Sequence, residues 1–120
     1  MKPTLILGAS NNPQRYSYLA TMRLKAYGHP VYPVGIKIGD IEGEKILNGM
    51  PALKDVDTIT MYLGEKNQQQ YYDYILNVIT PKRIIFNPGA ENEELAEMAE
   101  AKGIEALEAC TLVMLSTKQY

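Results

Sequence analysis

The residues best suited to chemistry in this chain form one run, Gly8-Ala9-Ser10-Asn11-Asn12-Pro13-Gln14-Arg15. The aliphatic stretch Thr4-Leu5-Ile6-Leu7 feeds into it, and a helical pattern follows. A small-residue turn at a helix start can bring free backbone amides against a phosphate, and the helix dipole favours negative charge there. The expected chemistry is therefore anion binding. A strand, a tight turn and a helix in that order open many nucleotide-binding α/β folds.

The type of nucleotide can be narrowed. The dinucleotide fingerprint needs further glycines after the first, and an acid at the end of the second strand to grip the ribose 2′-hydroxyl. Here Gly8 is followed by Ala9, Ser10, Asn11 and Asn12, and the second strand runs into Val34-Gly35-Ile36-Lys37 with no acid before Asp40. Lys37 places positive charge where an NAD site would place negative charge. This favours a ribose that carries an extra phosphate, as in coenzyme A or NADP; the plainer reading is a solvated loop lysine.

Other reactive residue types have structural explanations. His29 is the sole histidine, between Gly28 and Pro30. That position predicts a turn at the amino-terminal edge of the sheet, away from the ligand crevice. Cys110 has no histidine placed to activate it, and a free cysteine is commonly a small buried residue. Glu91, Glu93 and Glu94 suit the first turn of a helix by complementing its dipole. No Gly-x-x-x-x-Gly-Lys-Ser/Thr loop supports nucleoside triphosphate hydrolysis, and no histidine–carboxylate cluster supports zinc. Tyr71, Tyr72 and Tyr74 lack the interleaved basic residues that a nucleic-acid stacking surface needs.

The positioning elements follow from periodicity. Strands are expected at Thr4–Leu7, Val31–Val34, Asp57–Leu63, Arg83–Phe86 and near Ile104–Leu107. A helix with Tyr16, Leu19, Ala20, Met22, Ala26 and Tyr27 on its apolar face stops at Gly28. A second, capped by Asn67, turns Tyr71, Tyr72, Ile75, Val78 and Ile79 inward and closes at Thr80-Pro81. A third, with Leu95, Met98 and Ala99 inward, ends at Lys102-Gly103. Residues 35–51 predict a loop with a short extended piece around Ile41 to Leu47, and Thr111 to Leu115 one more extended piece. This alternation predicts an α/β fold, a mainly parallel sheet of five or six strands with helices on both faces. Ligands bind beyond the carboxyl ends of such strands, where the strand order reverses.

Length and composition agree with one domain over residues 1–120. The net charge of −2 gives no reason to expect nucleic acid as a partner. There is no apolar run of membrane-spanning length and no leader pattern, and one cysteine excludes an internal disulfide, so a reduced, cytoplasmic protein is expected. Tyr18 and Tyr120, outside the helical stripes, would be available to a homo-oligomer interface.

The run Gly8 to Tyr18, with Gly28-His29-Pro30-Val31-Tyr32-Pro33-Val34, resembles the CoA-binding domain family, small proteins similar to the CoA-binding part of the succinyl-CoA synthetase α subunit. Weaker agreement continues through Ile41–Lys45, Asn92-Glu93-Glu94, Ala101–Ile104 and Cys110. The chain departs from the family at Gly35-Ile36, at Tyr62–Glu65 and at Asn87-Pro88-Gly89, all in ligand-facing loops. The resemblance implies a three-layer, doubly wound Rossmann-like fold and a coenzyme A site. Gly8, Ala9 and Ser10 would donate to the diphosphate, and Asn12 or Arg15 would add a phosphate contact. Gly35 and Lys37, with Leu63 and Gly64, would hold the adenosine side; Asn87, Pro88 and Gly89 would line the pantetheine exit. The expected function is non-catalytic binding of coenzyme A or an acyl-CoA. The alternatives are an NADP-linked or acyl-transfer enzyme completed by a partner subunit, or an interaction protein that kept the fold without the ligand.

Overall fold

The computed structural model describes residues 1–120. Five parallel strands form the central sheet: β1 (Thr4–Leu7), β2 (Val31–Val34), β5 (Thr58–Met61), β6 (Arg83–Phe86) and β7 (Glu105–Glu108), in the order β2-β1-β5-β6-β7. Their registers are direct, Thr4 beside both Val31 and Thr58, and Arg83 beside both Thr58 and Glu105. A short antiparallel hairpin, β3 (Asp40–Ile41) with β4 (Glu44–Lys45), occupies the connection from β2 to β5. Pro33 suits the edge strand β2 because it has no N–H to donate, and its carbonyl accepts from the Leu47 amide at 2.8 Å.

Side chains alternate across the strands and create two cores. Leu5, Leu7, Ile59, Met61, Ile84 and Phe86 face one layer, built from residues 65–79 and helix α3 (Glu93–Ala101). Ile6 and Val31 face the other, where Leu24 of helix α1 (Tyr16–Ala26), Ile41, Ile46 and Leu115 of helix α4 (Thr111–Ser116) cover the sheet. Helices thus lie on both faces of a parallel sheet, the Rossmann-like arrangement that alternation predicted.

Four local expectations change. The segment from Thr111 is helix α4 rather than an extended piece; its first-turn residue Thr111 is fully buried against β5. Helix α1 buries Ser17, Ala20, Thr21 and Leu24, while Tyr16, Leu19 and Tyr27 face out. Small residues let this helix approach the sheet and α4 closely, so apolar size alone misplaced its inner face. In the next segment, the helix α2 (Glu65–Gln68) begins after Gly64 rather than at Asn67, and it passes through a 3₁₀ turn into a π-helical stretch, Tyr74–Ile79. Val78 and Met98 are partly exposed rather than inward.

The π-helical stretch ends at Thr80, whose backbone is left-handed at φ 45, ψ 61. A β-branched residue is strained there, whereas asparagine tolerates it. Thr80 is exposed, so Thr80→Asn should stabilise the protein by about 1 kcal/mol, seen as a higher urea midpoint. An unchanged or lower midpoint would contradict this account of the turn.

Candidate functional site

Where the loops after β1, β2 and β5 leave the sheet, they enclose a cleft of about 710 Å³ with the first turn of α1. This is the position where the strand order reverses, since β1 leads to β2 on one side and β5 lies on the other. Ten of the twelve residues expected from the sequence line it: Gly8, Ala9, Ser10, Asn12, Arg15, Gly35, Lys37, Leu63, Gly64 and Pro88. Asn87 and Gly89 do not.

Two glycines let the walls meet. Gly8 has φ +95, and a Cβ there would lie 3.2 Å from the Leu63 amide and the Tyr62 carbonyl carbon. A Cβ on Gly35 would lie 2.3 Å from the Ala9 carbonyl oxygen, closer than non-bonded atoms can stand. The turns after β1 and β2 are therefore in direct backbone contact.

That contact corrects one expectation. The amides of Gly8 and Ala9 both donate to the Val34 carbonyl, at 3.0 and 2.9 Å, and are not available to a phosphate. The Ser10 and Asn11 amides, one step further along, have no partner within the protein. Ser10 Oγ accepts from the Asn12 amide at 3.1 Å, Asn12 Oδ1 from the Gln14 amide at 3.0 Å, and the Asn12 carbonyl from the Arg15 amide. The Asn12 side-chain carbonyl thus shapes the turn, leaving its Nδ2 unpartnered.

Helix α1 starts at the same place. Its N-cap, Arg15, is extended, makes no side-chain capping bond, and is followed by no acid in the first turn. The Tyr16 and Ser17 amides are among the orphan donors of that helix end, and both residues line the cleft. Arg15 and Lys37 are the cations of the lining, which contains no carboxylate. Uncancelled cations, a helix N-terminus and free amides in one hollow give it a positive electrostatic character.

The far side of the cleft is braced by buried polar networks. Asn87 Nδ2 donates to Thr60 Oγ1 and the Met61 carbonyl, its Oδ1 accepts the Thr111 amide, and Thr60 and Thr111 share a hydrogen bond of 2.8 Å. Asn87 therefore ties β5 and β6 to α4 instead of facing the cleft. Gln68 Nε2 donates to the carbonyls of Leu63 and Ala90, and Asn92 Nδ2 donates to Gln68 Oε1 while Asn92 Oδ1 caps α3. Leu63 and Gly64 are held in place through this second network. On the near side, Asn48 Nδ2 donates to the carbonyls of Gly35 at 2.8 Å and Lys37 at 3.1 Å, pinning the lip that carries Lys37.

The remaining candidates stand apart. His29 is at the opposite edge, where Nδ1 accepts the Lys2 amide at 2.9 Å and its ring meets Tyr120. Burial and the neighbouring N-terminus, Lys2 and Arg83 hold it below its ordinary pKa. Cys110 is half-buried at the start of α4 and does not line the cleft. Glu91 accepts the Gly89 amide, and Glu93 and Glu94 occupy the first turn of α3 as expected. Tyr62 lines the cleft, and burial pushes its phenol up to about 12, so it is a neutral group at physiological pH. The lining residues that sequence reasoning missed are Tyr16, Ser17, Asn67 and Tyr71. Helical periodicity puts Tyr16 and Tyr71 on apolar faces and Asn67 at a cap; the signal for Ser17 is its place in the helix's first turn.

The fold recurs in known structures. A crystal structure of an uncharacterized protein superposes with a TM-score of 0.97 at 52% identity, over 100% of this chain and 98% of that one. A hypothetical protein from Pyrococcus horikoshii OT3 gives 0.86 at 20% identity, over 97% of this chain and 82% of that one, a likeness of fold. A conserved hypothetical protein from Pyrococcus furiosus gives 0.80 at 29% identity, over 94% and 98%. No curated protein matches the sequence. The family model described as "CoA binding domain" matches residues 2–116, nearly the whole chain, so this protein belongs to the CoA-binding domain family.

Proposed function

We propose that the protein binds coenzyme A or an acyl-CoA in this cleft without transforming it, as a single domain over residues 1–120. The observation that carries the reading is the charge of the lining: Arg15 and Lys37 with no carboxylate, in a chain of net charge −2. The diphosphate is assigned to the Ser10 and Asn11 amides, the Ser10 hydroxyl and the first turn of α1, with Arg15 as the flanking cation. Lys37 meets the ribose phosphate. Gly8, Ala9 and Gly35 shape the wall, Leu63 and Gly64 border the adenosine side, and pantetheine leaves past Pro88.

Asn87 and Gly89 have no direct ligand role in this reading. Its non-catalytic character rests on the lining, which contains no imidazole, thiol or carboxylate to act as nucleophile or base.

Calorimetric titration tests the assignment. Coenzyme A should bind about tenfold more tightly than dephospho-CoA, the discrimination expected of one exposed charge-assisted contact. Lys37→Ala should abolish that preference while leaving dephospho-CoA affinity nearly unchanged. Equal affinities in the unmodified protein would remove Lys37 from the site.

A further inference from the structure

We propose that Asn48-Gly49 is a self-modification site: Asn48 deamidates spontaneously, and the resulting acid releases the lip of the ligand cleft. The chain has seven asparagines, at 11, 12, 48, 67, 77, 87 and 92, and only Asn48 precedes glycine. Asn12 and Asn87 precede proline, which has no N–H to react, and Asn77 precedes the β-branched Val78. Gly49 is exposed at φ +76, with nothing within 4 Å of where a Cβ would stand. Its amide makes no hydrogen bond in the protein, so the attacking nitrogen is neither engaged nor shielded.

The reaction needs only water. The Gly49 nitrogen attacks Asn48 Cγ; the N–Cγ bond forms, the Cγ–Nδ2 bond breaks, and Nδ2 leaves as ammonia with the proton from Gly49. Water then opens the five-membered imide at either carbonyl, giving aspartate or isoaspartate. The net change is asparagine plus water to acid plus ammonia, with no redox partner.

The consequence lies in what Asn48 holds. Its Nδ2 is the donor to the carbonyls of both Gly35 and Lys37. A carboxylate has no proton to offer at neutral pH and faces those two oxygens with repulsion. The Ile36–Lys37–Ile38 lip, in which both isoleucines are 86% exposed, then loses its tether. A new negative charge also stands beside Lys37, opposing an anionic ligand. This last effect rests on the binding reading above; modification and lip release do not.

The test incubates the unmodified protein at mildly alkaline pH and follows it by peptide mass mapping and amide hydrogen exchange. The expected result is the mass gain of NH₂ replaced by OH at Asn48, as paired aspartate and isoaspartate products, while the other asparagines stay intact. Exchange of the Gly35 and Ile46 amides, which donate to the Leu47 and Gly39 carbonyls on either side of the lip, should quicken about tenfold in the product and in Asn48→Asp, as local opening loses two restraining bonds. Gly49→Asn keeps the left-handed backbone but crowds the nucleophile, so it should suppress the mass change and leave exchange slow. Persistence of Asn48 while a model Asn-Gly peptide converts, or conversion with unchanged exchange at those two amides, would overturn the proposal. Failure of unmodified protein to bind coenzyme A would instead count against the binding reading, because exchange is read without ligand.

Discussion

Gly35→Ala is expected to destabilise the protein by about 3 kcal/mol, the upper range for forcing an atom into a packed site. The added methyl would stand 2.3 Å from the Ala9 carbonyl oxygen, a backbone atom that cannot swing aside. Neither side can retreat easily. The Gly35 amide donates to the Leu47 carbonyl at 3.0 Å, its own carbonyl accepts Asn48 Nδ2, and the Ala9 amide is bound to Val34. Gly35 does not have a positive φ, so close approach rather than backbone freedom is what demands glycine. Urea denaturation should show a lower midpoint with the same slope, and near-native stability would contradict the backbone contact. Gly28→Ala makes a useful contrast, because φ +89 strains the new residue although no atom stands in its way.

The second large effect separates binding from folding. Ser10→Asp should weaken coenzyme A binding at least about a hundredfold, roughly 2.7 kcal/mol, by placing a carboxylate where the diphosphate is assigned. The substitution keeps a side-chain oxygen able to accept the Asn12 amide, the contact that Ser10 Oγ now makes at 3.1 Å. The turn should therefore survive and the melting temperature stay close to that of the unmodified protein. A variant that folds normally and still binds coenzyme A tightly would exclude Ser10 from the anion cradle.

These two residues also show what the sequence could and could not reveal. All five strands of the parallel sheet were legible, four of them because each is a short apolar run that ends in turn residues. Leu7-Gly8 and Phe86-Asn87-Pro88 are instances. The anion-binding turn was legible as a location, yet the particular donors were not. Local sequence cannot say that the Val34 carbonyl, from a different strand, takes both the Gly8 and the Ala9 amides. Asn87 illustrates the same limit. Asn-Pro-Gly after a strand reads as a ligand-facing loop, but the Thr60 hydroxyl and the Thr111 backbone amide, distant in sequence, turn the Asn87 side chain inward.

Helix α1 misled for a different reason. Tyr16, Leu19 and Tyr27 fit an apolar helical stripe, whereas close packing selected the smaller Ser17, Ala20 and Thr21. Thr21 Oγ1 donates to the Ser17 carbonyl, which satisfies its hydroxyl inside the helix and allows a polar residue on the buried face. Outward Tyr16 then becomes part of the cleft rim. In this chain, misreading the inner face of one helix concealed part of the site.

The most direct measurement is an amide-resolved NMR titration of the unmodified protein with coenzyme A. The account predicts saturable shifts concentrated at Ser10, Asn11, Tyr16 and Ser17, with Lys37 also responding and the His29 edge silent. Shifts confined to another surface, or no saturable change at the Ser10 and Asn11 amides, would contradict it.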